Sequence, residues 1–353
     1  MNGMFSEIKK LKPLSKAYFI AMLLLVCSIV FNNAMNSACI ILLLVVWLAE
    51  QGFQQKWKHL VKEPFFILNA LLLLVYILGI GLSEDKQNAI FFFTKNLSLV
   101  IIPMVLLSGK QLEQPHFYLL LKAFILCVFI QMSVESILSV FRFAATHDTG
   151  YFFYHKLVSN INMGGAIVAS FFCMMSMAFL FYLPDKNKIK WLLCCIFTVW
   201  IILLDSKMFL ATLLLLIFMN GIRRLSLPQK ITSFMVIAAS LLLLAFTNNP
   251  IKKRFMDMDH FQKSYLTATS FSPDMYFDGL SLRLVYIRFG LEIMHENGNY
   301  FTGAGTGDAE NLLKKKIVAY HMYTGDGIKE KEGYLKYGYH NEYLQKLVQL
   351  GFS

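Results

Sequence analysis

The sequence predicts an all-α fold: a polytopic transmembrane helix bundle of about nine to ten spans, carrying one large, mostly helical outer loop. Three observations carry this. The 353 residues are 57% hydrophobic and only 16% charged, against about 45–50% and about 25% in soluble domains, and mean hydropathy is +0.54. Apolar runs of near-span length recur along the first 247 residues. Lys and Arg collect in alternate connections between those runs, as they do in cytoplasmic loops.

The elements follow in order, since a span takes roughly 20 apolar residues. The first run, 17–31, comes after Lys9, Lys10, Lys12 and Lys16. No small-residue cleavage site closes it, so it reads as an uncleaved span rather than a signal peptide. Further runs occupy 34–50, 64–82, 90–107, 117–140, 161–183, 191–204, 208–221 and 231–247. With the N-terminus inside, the inner segments hold fourteen Lys/Arg, among them Lys56, Lys58, Lys62, Lys186, Lys188, Lys190, Arg223 and Arg224. The short outer loops hold four: Lys86, Arg142, Lys156 and Lys207. The net charge of +11 is thereby a topology determinant, and no nucleic-acid partner is implied. Cys27, Cys39, Cys127, Cys173, Cys194 and Cys195 all lie in apolar runs, as small buried hydrophobes do. No metal spacing occurs, and no cofactor is called for.

The stretch WIILLDSKMFLATL, residues 200–213, sets Asp205, Ser206 and Lys207 inside an apolar region. A hairpin turning there keeps the basic segments 184–190 and 221–230 on one side. Fourteen residues per arm rise only about 21 Å, against a hydrocarbon core of about 30 Å. The triplet is then either a sunken polar site facing a wet cavity or an interfacial turn with a snorkelling lysine.

The transmembrane domain, 1–247, delivers residues 248–346 to the outer side. That loop holds 13 Lys/Arg and 12 Asp/Glu and no run long enough to span. Residues 281–297 repeat Leu282, Val285, Phe289 and Ile293 at helical steps. Arg283 and Arg288 lie on different faces of this helix, suited to phosphate or simply solvated. Gly303, Gly305 and Gly307 make a tight turn before Asp308. Such a turn either cradles an anion at a helix start or lets backbones pack. His340-Asn341 precedes an amphipathic helix that re-enters the membrane, with 347–353 the start of a tenth span. Asn341 can cap it, and His340 is either a general base, since an unperturbed histidine takes up a proton near neutrality, or an ordinary loop histidine.

In order and spacing this set resembles the O-antigen ligase/polymerase family of bacterial envelope membrane enzymes: Arg283 with Tyr286, the three glycines with Asp308, then His340-Asn341 with Leu344 and Gly351. The resemblance covers roughly residues 160–351. Ser206-Lys207 looks like the family's upstream Ser-Arg pair, with Lys keeping the charge but lacking the bidentate fork. The resemblance implies further spans after Ser353, so the chain reads as part of a longer one. It also implies a GT-C-like glycosyltransferase of the bacterial inner membrane, with a cytoplasmic N-terminus and a periplasmic loop. The donor would be a glycan on undecaprenyl pyrophosphate. The acceptor would be a glycan, a lipid core or a protein, and the lipid bilayer would hold the donor's tail. On this reading His340 is the base and Arg283 the catalytic cation. Lys207, Arg288, Ser206, Asn341, Gly303 and Gly305 bind substrate, and the metal-independent displacement inverts the anomeric carbon. The alternative is a lipid-linked glycan flippase or other transporter, for which internal repeats or paired broken helices are the signature; none is evident.

Overall fold

The computed structural model describes residues 13–50, 52–109, 112–159, 165–184, 188–206, 208–215, 263–298, 300–325 and 333–352. Among these the regular structure is all helical. The principal helices are α1 (Pro13–Phe31), α2 (Asn33–Ala49), α3 (Phe53–Leu60), α4 (Pro64–Leu82), α5 (Lys86–Asn96), α6 (Ser98–Ser108), α7 (Gln114–Thr146), α8 (Gly165–Tyr182), α9 (Lys188–Leu203), α10 (208–215), α11 (Gly279–Asn297), α12 (Ala309–Ala319) and α13 (Glu342–Leu350).

Five of these segments are long and apolar enough to cross a membrane: α1, α4, α5 with α6 as one 23-residue span, α7 and α8. A sixth exists if α2 and α3, bent by 118°, count as one. The count differs from nine for local reasons. At 16 residues α9 is short, the run at 208–221 is described only to 215, and the run at 231–247 lies outside the described residues. The 33-residue α7 rises about 50 Å and so exceeds the 117–140 span expected of it.

The chain forms two compact units. The first comprises residues 1–56 and 108–252, and the second 57–107 and 253–353. In the first, α8 turns the small side chains Ala166, Ala169 and Cys173, all fully buried, into a core with Val128, Met132, Phe197 and Ile201. Small residues at helical spacing permit the close approach that membrane helices need. Lys56, counted in the sequence as an inner-rim charge, is instead buried: it pairs with Glu50 at 2.9 Å and lies over the Trp47 ring. The α9 helix stops at Leu203, Asp205 takes a left-handed φ of 45°, and helix resumes at 208. Asp205 and Ser206 are buried, so this break is not a solvated turn.

In the second unit, Asp278 caps α11 by accepting from the Leu280 and Ser281 amides at 2.8 and 2.7 Å. Gly298, at φ 65°, closes it. The expected stripe of Leu282, Val285, Phe289 and Ile293 is buried against Leu313 and Ile317 of α12 and Leu344 and Val348 of α13. A Cβ at Gly290 would sit 2.9 Å from Leu344, so this glycine sets how closely α13 approaches α11. The α13 helix ends at Leu350, and Gly351 caps it with a φ of 72°. The Phe352 amide then pairs with the Tyr300 carbonyl at 2.9 Å.

Candidate active site at the start of α13

The site is built around His340. Its neighbour Tyr339 is fully buried and donates to the Ala309 carbonyl at 2.8 Å, at the start of α12. Asn341 on the other side caps α13 by accepting from the Leu344 amide at 3.2 Å. Held at both flanks, His340 adopts a left-handed φ of 51°, a region where His is enriched among non-glycine residues. Its imidazole, partly open to solvent, stacks parallel to Tyr286 of α11, at 6.1 Å and 8°, and lies 5.0 Å from the Tyr337 ring. Tyr286 is itself fully buried and donates to the Tyr334 carbonyl at 3.2 Å.

Arg283, one helical turn before Tyr286, is exposed. Partial burial, and then the positive charge of Arg283, hold the His340 pKa below the ordinary histidine value. A neutral imidazole able to take a proton thus lies within electrostatic reach of a permanent cation. This is the acid–base polarity that a displacement with a charged leaving group requires.

Arg288 is placed differently. Its guanidinium donates to Glu292 at 2.7 Å, to the Ala268 and Tyr265 carbonyls at 2.7 and 3.2 Å, and to the Tyr320 hydroxyl at 3.1 Å. Lys316 and Tyr320 donate to the same Glu292 at 3.0 Å each. Burial pushes the Glu292 carboxyl up, but the bonds from Lys316, Arg288 and Tyr320 outweigh it and leave the pKa below its usual value. Arg288 is therefore a structural tie between α11 and the segment before it. The Arg288-Glu292 spacing of four residues carried that signal in the sequence.

The glycine turn is also occupied. The Ala304 amide donates to Val348, the Gly307 amide to Ser83 Oγ at 2.9 Å, and the Asp308 amide to Gly305. Asp308 accepts from the Glu84 and Asp85 amides, both at 2.8 Å, and Asn88 donates to the Gly307 carbonyl at 2.7 Å. Gly303 (φ 66°) and Gly305 (φ 105°) leave no room for a side chain: a Cβ would meet the Gln349 backbone at 2.6 Å and Ser83 Oγ at 2.9 Å. The turn clasps the α4–α5 connection, which favours the packing role over the anion cradle. The partner sequence Ser83-Glu84-Asp85 was missed, because its polar residues read simply as a loop between spans.

Of the residues expected to act, the second unit brings together Arg283, His340 and Asn341, with Asn341 as the helix cap. Ser206 belongs to the first unit, and Lys207 lies outside the described residues. Among the described residues no cluster of three or more His, Cys, Asp or Glu could hold a metal ion. Compared with models of known families, with curated proteins and with solved structures, the chain matches none of them.

Proposed function

We propose that the chain is a membrane glycosyltransferase of the O-antigen ligase or polymerase type. It moves a glycan from undecaprenyl pyrophosphate to an acceptor hydroxyl at the outer face of the bacterial inner membrane. The observation that carries this is His340 stacked on Tyr286 at the start of α13, with burial and then the charge of Arg283 biasing it toward its neutral form. His340 takes the proton from the acceptor hydroxyl. The acceptor oxygen forms its bond to the anomeric carbon from the side opposite the pyrophosphate. The carbon–oxygen bond to pyrophosphate breaks, its electron pair stays on the phosphate oxygen, and Arg283 stabilises that charge. Tyr337 offers a ring beside the imidazole on which a sugar face can lie. Arg288, Gly303 and Gly305 serve the scaffold in this scheme, and Lys207 is the further cation that the sequence supplies.

Transfer from a lipid-pyrophosphate glycan by the purified full chain tests the proposal. His340→Ala and Arg283→Ala are each expected to lower the rate at least a hundredfold, within the range that acid–base and electrostatic groups contribute. A wild-type rate in His340→Ala would remove the base, and normal donor turnover in Arg283→Ala would remove the clamp. Loss of the gene separates the two acceptor classes: capped single repeats indicate a polymerase, and long lipid-linked chains a ligase.

A further inference from the structure

Within the second unit, α13 lies against α4 and α5, which belong to two of the segments apolar enough to span. Leu350 of α13 packs with Tyr76 of α4 and Phe92 of α5, both buried. Tyr76 comes seven residues before Ser83, and Phe92 seven after Asp85. Each therefore sits about 10 Å along its helix from the corner at 83–85, inside the apolar part of the span. The Lys346 ammonium of α13 rests over these two rings, 4.8 Å from the Tyr76 centroid and 6.0 Å from that of Phe92. Lys95, one turn beyond Phe92 on α5, is exposed, and its charge acts on Lys346.

The charges here do not balance. Glu342 approaches the Lys346 ammonium only to 3.8 Å, beyond hydrogen-bond distance. Among the described residues neither lysine donates a hydrogen bond, and Lys95 meets no carboxylate. Two ammonium groups against one carboxylate leave one positive charge over. Like charges repel far more strongly away from water, and ionisable groups at such depth normally pair or mark a binding site. The rings beneath Lys346 offset part of its lost hydration but carry no negative charge. A monoanion between the two lysines would cancel both the repulsion and the surplus. Lys95 and its neighbour Phe91 face outward from the protein, and outward from a span is toward lipid, so the anion reaches them from the bilayer. A phosphodiester on a membrane lipid carries the single charge required. Long lysine stems rise toward the headgroup level, where basic residues hold anionic headgroups.

We propose that Lys95 and Lys346 hold the phosphodiester of an anionic phospholipid, with its acyl chains along the outward face of α5. The site stands whether or not the chain transfers glycans. Native mass spectrometry of the full chain in detergent, titrated with dioleoyl phosphatidylglycerol, dioleoyl phosphatidylcholine or inorganic phosphate, tests it. One phosphatidylglycerol is expected to bind in preference to phosphatidylcholine. Lys95→Gln is expected to weaken it about five-fold and Lys95→Gln/Lys346→Gln about thirty-fold, each cation contributing about five-fold, whereas Lys95→Arg/Lys346→Arg retains it. Glu342→Gln, at an exposed position, removes the competing carboxylate and is expected to tighten binding, which lysines that served only packing would not do. Equal retention of the two lipids, wild-type affinity in the Gln double variant, no gain in Glu342→Gln, or displacement by millimolar inorganic phosphate would each overturn the proposal.

Discussion

Removing the Asp308 carboxylate is expected to loosen the second unit without touching the chemistry. Asp308 accepts two backbone N–H bonds of 2.8 Å, from Glu84 and Asp85. Hydrogen bonds to a charged group contribute about 1.5–3 kcal/mol each. Glu84 is exposed and Asp85 half-buried, so water recovers part of both bonds and the lower figure applies. Asp308→Ala should then cost about 3 kcal/mol. Asp308→Asn keeps one acceptor oxygen without its charge and should cost roughly half of that. Denaturant titration of the purified chain in mild detergent, followed by far-ultraviolet circular dichroism, reads both values. Glycan transfer below the unfolding transition should be nearly unchanged. Unaltered stability combined with lost donor turnover would refute the reasoning, because the carboxylate would then be serving the substrate.

Gly307→Ala should destabilise by about 1–3 kcal/mol in the same titration, since its Cβ would press on the Asp85 carbonyl and the Ala89 amide. Glu50→Ala leaves the buried Lys56 ammonium without its carboxylate, keeping only the Trp47 carbonyl at 2.9 Å and the Trp47 ring, and should cost about 3 kcal/mol; an unchanged midpoint would show that the pair is solvated. For transfer, the neutral imidazole is the active form. The acidic limb of the rate profile should therefore lie below pH ~6.5, because the His340 pKa is lowered. Arg283→Gln removes one cause of that depression and should move the limb upward. The linkage runs the same way: the unfolded chain takes up the His340 proton first, so stability falls as pH drops from ~6.5 toward the lowered folded value.

The α11 stripe was legible because Leu282, Val285, Phe289 and Ile293 share one period, and all four are buried. Asn341 as a cap was legible for the same local reason. The length of the apolar runs also marked the positions of the five apolar helices. What escaped the sequence was pairing over distance. Nothing around residue 83 announces that its hydroxyl will receive the Gly307 amide. Lys56 reads as a topology charge, and only tertiary packing shows it beneath Trp47. The sequence left Arg288 open between a phosphate ligand and a solvated side chain. Its four carbonyl, carboxylate and hydroxyl partners come largely from segments 20 to 32 residues away.

The clasp between Asp308 and the α4–α5 connection joins residues 224 positions apart. Ribosomes add about 5–20 residues per second, so the α4–α5 corner emerges roughly 10–45 seconds before the carboxylate that will hold it. During that interval the corner's amides face only water or whatever helper shelters them. Biogenesis of the second unit is thus a waiting process. Chains halted short of residue 308 should leave this corner unclasped and readily cut by proteases, whereas finished ones hold it fixed.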